Sequence, residues 1–417
     1  MASMASKEGE RRFTVLENVH VLDPVAGNVS GQTDIAVEDG VIVAVEEVRP
    51  PHGGNHIDMR GLIVMPGLID CHVHVTACSA DPSKDAVMSP SYVAAWAARS
   101  MRDMLMRGFT TVRDIGGADF GLAAAVNEGL LAGPRLLFGG PTLSQTGGHG
   151  DVRGPGEYAL DGDLRFPAQA VICDGEAEVR RAARHLLRTG ADHIKMMLSG
   201  GVVSPTDRVT SSQFSAAEIG AVVDEARAVD RYVVGHAYSA AAINRALEAG
   251  VRSIEHGNRL DDSTIELLLQ KDAFLGPTLA TYRALSEEGQ DWGLSKENAA
   301  KIGDELEIGL KALERADKAG VQLTFGTDLL GGMQRRQCDE FLVRGEVQSP
   351  LAVIRAATVN AAKLLRLEGE IGELRPGFTA DLIGIAGNPL DSTAVLANPA
   401  ANMHLVMRAG KVVFRAE

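Results

Sequence analysis

From about Pro66 to Leu367 the chain repeats one pattern: a short apolar run suited to a buried strand, then a longer stretch with helical spacing. The strand candidates are residues 62–70, 110–115, 135–142, 193–198, 232–236, 252–256, 274–278 and 322–327. Between them lie stretches rich in Ala, Arg and Glu, such as 176–188, 216–229 and 296–319. Parallel strands need crossover connections, and helices supply them while covering the sheet. Eight such units predict an α/β fold, a (β/α)8 TIM barrel over residues 66–367. A doubly wound open sheet satisfies the same alternation. The two differ in where reactive residues fall, because a barrel gathers the C-terminal ends of all its strands on one rim.

The two ends of the chain read differently. Residues 13–16, 19–22, 34–37 and 41–45 are short β-type runs separated by turn residues such as Glu38-Asp39-Gly40. Residues 381–385, 404–407 and 411–414 repeat this style, with Ala409-Gly410-Lys411 as a hairpin turn. The segments 1–65 and 368–417 are therefore expected to pair into one small β-sandwich domain around the inserted barrel.

Composition narrows the partners. A formal charge of −14 repels a phosphate backbone and gives no attraction to an anionic membrane, so neither nucleic acid nor membrane is an expected partner. No apolar run is long enough to span a bilayer. Cys71, Cys78, Cys173 and Cys338 are too few and too scattered for a disulfide framework or a thiolate zinc site. Met1 to Arg12 is polar, without the apolar core of a leader, so the expected location is cytoplasmic. The double start Met1-Ala2-Ser3-Met4 leaves open that a native signal peptide has been replaced.

The strand ends carry an unusual set of side chains. The first ends in Asp70-Cys71-His72-Val73-His74, the fourth contains His193-Ile194-Lys195, the fifth and sixth end in His236 and His256, and the eighth leads into Asp328. Two histidines two residues apart on an extended chain face the same side. His72 and His74 can therefore share a metal with His236, His256 and Asp328, and imidazole with carboxylate suits zinc and tolerates cobalt or manganese. A lone His-x-His is weak, and hydrogen-bonded rim histidines are its plain reading. Five ligand-type residues on one rim are far more specific. Lys195 lies in an apolar strand beside them. An ammonium there meets desolvation and nearby cations. Either it is neutralised or converted by CO2 into a carbamate, or it snorkels to the rim and binds a substrate carboxylate.

These residues resemble the metal-dependent amidohydrolase superfamily. The similarity rests on Pro66-Gly67-Leu68-Ile69-Asp70-Cys71-His72-Val73-His74, then Lys195, His236, His256 and Gly326-Thr327-Asp328, with Gly372-Glu373-Leu374-Arg375-Pro376-Gly377 leading into the terminal β segment. The branch it looks most like holds imidazolonepropionase-like proteins, metal-dependent prolidases and Xaa-Arg dipeptidases, and amidohydrolases that hydrolyse ochratoxin A. The resemblance implies two divalent metal ions, zinc foremost, bridged by an N-carboxylated Lys195. It implies that His72, His74 and Asp328 hold one ion and His236 and His256 the other, with Asp328 also moving the proton. A metal-activated hydroxide would cleave an amide bond to a C-terminal amino acid, in a dipeptide or an N-acyl amino acid such as ochratoxin A, giving ochratoxin alpha and phenylalanine. Cyclic amides or lactones are the alternative substrates. A non-catalytic assembly protein is the alternative class, disfavoured because none of the six ligand-type positions is missing. The resemblance also implies a small-molecule substrate and a homo-oligomer, up to an octamer.

Two further segments match this branch. His149, in Ser144-Gln145-Thr146-Gly147-Gly148-His149-Gly150, falls where the branch has a histidine near the scissile carbonyl or substrate carboxylate, making it a catalytic and substrate-binding candidate. Tyr238 matches a substrate-binding tyrosine; a loop histidine and a packing tyrosine are the plain readings. Val202 and Val203, with Val75 and Met197, suit a hydrophobic substrate group, and Ala77 and Cys78 leave room beside it. Arg113 and Asp114 are read as an internal ion pair, His193 as a residue behind the site, and His20, His52, His56 and His404 as solvated. The segment 331–341, with Gln334-Arg335-Arg336-Gln337, is left undecided as a substrate contact.

Overall fold

The computed structural model describes residues 13–47, 54–153, 166–204 and 207–416. His52 and the opening Met1 to Arg12 lie outside the described residues. Eighteen strands are numbered here in chain order. Phe13–Asp23 (β1), Asn28–Glu38 (β2), Val41–Val45 (β3), Asn55–Asp58 (β4) and Ile63–Pro66 (β5) come from the N-terminal segment. Leu68–Val73 (β6), Phe109–Asp114 (β7), Arg135–Phe138 (β8), Thr142–Ser144 (β9), Ala170–Ile172 (β10), His193–Met197 (β11), Tyr232–Ser239 (β12), Ser253–Arg259 (β13), Phe274–Gly276 (β14) and Gln322–Leu323 (β15) follow. Leu382–Ile385 (β16), Met403–Arg408 (β17) and Lys411–Arg415 (β18) close the chain.

The terminal strands form one continuous sheet in the order β18-β17-β16-β5-β1-β2-β3, with β4 off the path on β1. It turns around its own core because β1 forks. Its first half pairs with β4 and its second half with β5, and the bulge between Leu16 and Val19 sits at the change of partner. Asn18 occupies that bulge at φ 60°, and a bulge bends the strand and increases its twist. Leu16, Val19, Ile35, Ile42, Leu382, Leu405 and Met407 fill the space enclosed. Two-residue turns at Asp39-Gly40 and Ala409-Gly410, with positive φ at all four residues, give the primed geometry that matches strand twist.

The expected strand 62–70 is two strands in two sheets. Ile63–Pro66 pairs with β1 and β16, whereas Leu68–Val73 pairs with β7. The change occurs at Gly67, whose N–H donates to Asp381 O at 2.9 Å and where a Cβ would stand 2.1 Å from Thr110 Oγ1. Residues 135–142 are likewise broken, into β8 and β9 around Gly139, which lies against His193. The helical stretch 296–319 is interrupted at Gly303, giving Lys296–Ile302 and Glu305–Ala319.

Parallel strands β6-β7-β8 and β9-β11-β12-β13-β14-β15 make up the barrel wall, with β10 beside β9. Backbone bonds outside the ladders close it: Asp192 N–H to Phe138 O at 2.9 Å on one side, and Cys71 N–H to Phe325 O at 2.8 Å on the other. Helices pack outside through apolar stripes, as in Gly175–Arg188, whose buried residues are Val179, Ala182, Ala183 and Leu186. Among the described residues no helix is long and apolar enough to cross a membrane.

Candidate metal centre

His72 lies near the end of β6 and His74 just beyond it, and Asp328 follows β15. Lys195, His236 and His256 lie within β11, β12 and β13, of which the last two run on to Ser239 and Arg259 past the expected ends. The closure of the barrel brings together these residues far apart in sequence. His72 Nε2 and His74 Nε2 lie 3.1 and 3.2 Å from Asp328 Oδ1. These three residues offer donor atoms that all lie within 4.8 Å of one another. The imidazoles run on as a contiguous series. Ring centroids are 5.2 Å apart for His72 and His256, 4.6 Å for His256 and His236, and 4.3 Å for His236 and His149. Lys195, 2% exposed, lines the same cavity.

Neighbours outside this group decide which ring nitrogen each histidine offers. His72 Nδ1 meets Glu255 Oε2 at 2.9 Å, His74 Nδ1 meets Gly116 O at 2.9 Å, and His256 Nδ1 meets Thr278 Oγ1 at 2.7 Å. His236 Nε2 lies 3.2 Å from Gly200 O. One nitrogen of each ring is thereby occupied and the other left as a lone-pair donor, the arrangement that metal-binding histidines require. Glu255 is itself held by Arg113 Nη2 and Ser253 Oγ, each at 2.7 Å. Asp70 accepts from Thr327 Oγ1 at 2.7 Å, Gln337 Nε2 at 2.9 Å and His72 N at 3.1 Å, tying the first strand end to the eighth.

The electrostatics suit cation binding. Burial, with neighbouring His149, His256 and Lys195 adding to it, pushes His236 well below the ordinary histidine range; burial likewise lowers His256 against the pull of Asp328. Asp328 is half-buried, and His72 and His74 hold its carboxyl well below the usual carboxylate range against the cost of its partial burial. Burial brings Lys195 down to about 8, against the opposing pull of Glu255 and Asp328, so its neutral amine is accessible near neutral pH. Neutral imidazoles, an ionised carboxylate and a lysine poised to lose its proton fit a divalent metal site. His256 and Asp328 adopt φ of 74° and 52°, left-handed values that non-glycine residues rarely take. Such strain persists where surrounding bonds enforce it; here Asp328 N–H donates to His72 O at 2.8 Å.

A cavity of about 550 Å³ opens above these residues. Val202, Val203, Met197, Ala77, Phe166, Leu285 and Leu330 supply apolar wall, and His149 and Tyr238 also line it. Tyr238 stacks on His256 at 5.0 Å, and its hydroxyl accepts from Tyr282 Oη at 2.8 Å. His149 Nδ1 lies 3.3 Å from Asp207 Oδ2, and a side chain at Gly201 would overlap the His149 ring. Arg153, which lines the cavity, grips Asp151 through Nε at 2.7 Å and Nη2 at 2.6 Å.

Several expectations change. Val75 is fully buried behind the wall, and Cys78 is anchored by its backbone to Asp85 at 3.0 Å; neither lines the cavity. Arg113 and Asp114 are not paired with each other. Successive side chains on β7 point to opposite faces, so Arg113 meets Glu255 while Asp114 accepts from Val75 N at 2.7 Å and Gly116 N at 3.0 Å. His193 is buried against Tyr232, with centroids 5.9 Å apart, and fills the barrel below the cavity. Gln334 and Gln337, in the segment after the eighth strand, brace the ligand strand: Gln334 Nε2 donates to His74 O at 2.8 Å. Sequence reasoning missed Glu255, Thr278 and Asp207. Glu255 had a signal, a carboxylate inside an apolar strand, where burial demands a partner.

Comparison with known proteins agrees with this geometry. The model of the Amidohydrolase family matches residues 63–413. Ochratoxinase from Aspergillus niger is 35% identical over 364 residues, covering 84% of this chain and 75% of that protein. The crystal structure of A. niger ochratoxinase superposes with a TM-score of 0.85 at 30% identity, covering 98% of this chain and 97% of that one. A prolidase crystallised with N-methylphosphonate-L-proline superposes with a TM-score of 0.95 at 42% identity, covering 97% of this chain and all 100% of that one.

Proposed function

The chain belongs to the amidohydrolase family, a family of amide hydrolases, and from that premise we propose that it cleaves the amide bond between an acyl or aminoacyl group and a C-terminal amino acid. Ochratoxin A is a specific member of this substrate class. The observation that carries the reading is the convergence of His72, His74 and Asp328 at the base of a largely apolar cavity of about 550 Å³. A similar ochratoxinase and a prolidase that binds a proline phosphonate support the choice of a substrate with a carboxylate beside the scissile amide.

His72, His74 and Asp328 would hold one divalent ion, and His236 and His256 a second, with zinc the first candidate and a carboxylated Lys195 between them. Divalent ions held there supply Lewis acidity towards the carbonyl and acidify a water towards neutral pH. Asp328 presents Oδ1 to both histidines, which leaves Oδ2 to take the water's proton and return it to the leaving amine. An amine expelled without a proton is a poor leaving group, so this return is required for an amide. His149, stacked on His236 and with the Asp207 carboxylate beside Nδ1, lines the cavity and would donate from Nε2 to the carbonyl oxygen when both ring nitrogens carry protons. Val202, Val203 and Leu330 would receive the apolar acyl group, Tyr238 would border it, and the Arg153 guanidinium on the cavity wall would meet the substrate carboxylate.

The test is turnover by metal-replete protein of N-acyl amino acids, dipeptides, ochratoxin A and lactones. Release of a free amino acid from the first three supports the reading. Hydrolysis of lactones or cyclic amides alone would replace it.

A further inference from the structure

At the end of the barrel opposite His236 and His256, the starts of β12 and β13 border a second cavity of about 360 Å³. Arg227, Arg231, Arg252, Lys271 and Arg366 line it, against the carboxylates Glu248 and Asp272. Such an excess of cations is out of character for a chain of formal charge −14. The carboxylates do not neutralise it. Asp272 Oδ2 lies 3.5 Å from Lys363 Nζ and Oδ1 accepts from Gln322 Nε2 at 2.5 Å, while Glu248 is exposed at the rim. Arg231 reaches Asp192 only at 3.9 Å. Among the described residues, Arg227, Arg252, Lys271 and Arg366 have no carboxylate at ion-pair distance.

The guanidiniums spend donors on backbone carbonyls instead. Arg252 Nη2 donates to Lys363 O at 2.9 Å, Arg366 Nη1 to Asp230 O at 2.5 Å and Arg227 Nη2 to Gly250 O at 3.5 Å. Gly250 makes room for the last, since a Cβ there would stand 2.3 Å from Arg227 Nη2. Arg252 and Arg366 lie over the same Tyr232 ring, at 5.8 and 5.7 Å from its centroid. Two like charges thus share one aromatic ring, and Arg252 Nε is buried without an acceptor. Burial and the neighbouring Arg366 both press Arg252 below the ordinary guanidinium range, against a weaker opposing pull from Tyr232, Glu368 and Asp272. A buried donor without a partner and clustered like charges are both relieved by an anion, and the guanidinium fork matches an oxyanion with several oxygens.

We propose that this cavity binds a phosphate-type dianion, free or carried on a small molecule, at Arg227, Arg252, Lys271 and Arg366. The site is separate from the candidate metal centre, lying at the other end of the strands that bear His236 and His256.

The experiment is thermal unfolding of metal-loaded enzyme in inorganic phosphate against chloride at matched ionic strength, with glycerol 3-phosphate as a parallel arm. The expected result is an upward shift of about 2 °C or more at saturating anion, abolished by Arg252→Gln combined with Arg366→Gln. Because Arg252 also packs over Phe274, a second variant, Arg227→Gln with Lys271→Gln, alters only exposed side chains and should raise the half-saturating concentration about tenfold. A shift with glycerol 3-phosphate alone assigns the site to a carried phosphate, and a shift with both assigns it to the anion itself. No phosphate-specific shift overturns the proposal. So does a shift undiminished in both variants, which would assign the anion to the metal centre.

Discussion

Glu255→Gln is the sharpest test of how the centre is held. Glu255 is fully buried and its two oxygens serve different partners: Oε2 faces His72 Nδ1 at 2.9 Å, and Oε1 accepts from Arg113 Nη2 and Ser253 Oγ at 2.7 Å. Glutamine keeps the shape but brings one NH2, which must point a donor either at the His72 ring N–H or at the guanidinium. If it faces His72, the ring loses the acceptor that leaves Nε2 as the metal donor, and removing such a partner weakens metal affinity about 10–100-fold. The Arg113 charge meanwhile loses its counter-ion at a site with no solvent access, a loss of roughly 3–5 kcal/mol for a buried pair broken on one side. Both effects are measurable: zinc affinity by competition with a chromogenic chelator, and stability by denaturant unfolding of the metal-free protein. The two separate in the double variant Arg113→Met with Glu255→Leu, which leaves His72 Nδ1 no acceptor at that position. Removing the orphaned guanidinium should restore most of the stability and none of the metal affinity. Recovery of full affinity in the double variant would refute the argument that Glu255 acts by orienting His72.

Three further outcomes follow from the same geometry. Asp328→Asn should lower turnover at least about 100-fold beyond its effect on metal content; full metal occupancy with undiminished turnover, measured on one sample, contradicts the proton-transfer role. Lys195→Ala should lose metal and regain part of both metal and activity in short carboxylic acids, and normal metal content without rescue would end the carbamate reading. Glu340 is fully buried with its carboxyl pushed up to about 8, chiefly by burial. Its folded value lies above the 4.5 of an ordinary glutamate, so its contribution is complete below about 4.5 and is lost as pH rises through about 8. Glu340→Gln retains an acceptor for the Ala280 N–H, so unfolding free energies should fall by a few kcal/mol less across that interval than in the parent protein. Identical pH profiles would contradict the buried-acid account.

Much of the architecture was legible because period and composition agree locally. The barrel strands coincide with apolar runs, and the six ligand-type residues lie on or just after those strands, where a closed barrel gathers them. What escaped depends on neighbours distant in sequence. Residues 62–70 are apolar throughout, so nothing local marks the step at Gly67 from one sheet to the other; the cause is the approach of Thr110. Arg113 and Asp114 look like a pair because they are adjacent, yet strand alternation sends them to opposite faces, and the partner of Arg113 is 142 residues away. Tautomer-setting partners such as Thr278 for His256 are invisible for the same reason.

The group that gathers the ligands is an unfavourable one for an apo barrel to hold. It confines the half-buried Asp328 carboxylate, the buried Lys195 and a series of imidazoles on one rim, with His256 and Asp328 in left-handed backbone. Left-handed, non-glycine residues each carry roughly 1–3 kcal/mol of strain, and buried charge adds desolvation. The rest of the fold answers both. Asp70 links His72 to Thr327 and Gln337, Gln334 ties the His74 carbonyl to the segment after the eighth strand, and Glu255 links His72 to Arg113. These bonds cross between the first, second, sixth and eighth strands of the barrel, so the same contacts that close the barrel between its last strand and its first also aim the donors. Divalent ions held at the rim would then offset the remaining charge, which makes metal content and barrel closure coupled quantities. Loss of Gln337 or Thr327 should therefore appear in metal affinity before it appears in the turnover of fully loaded enzyme.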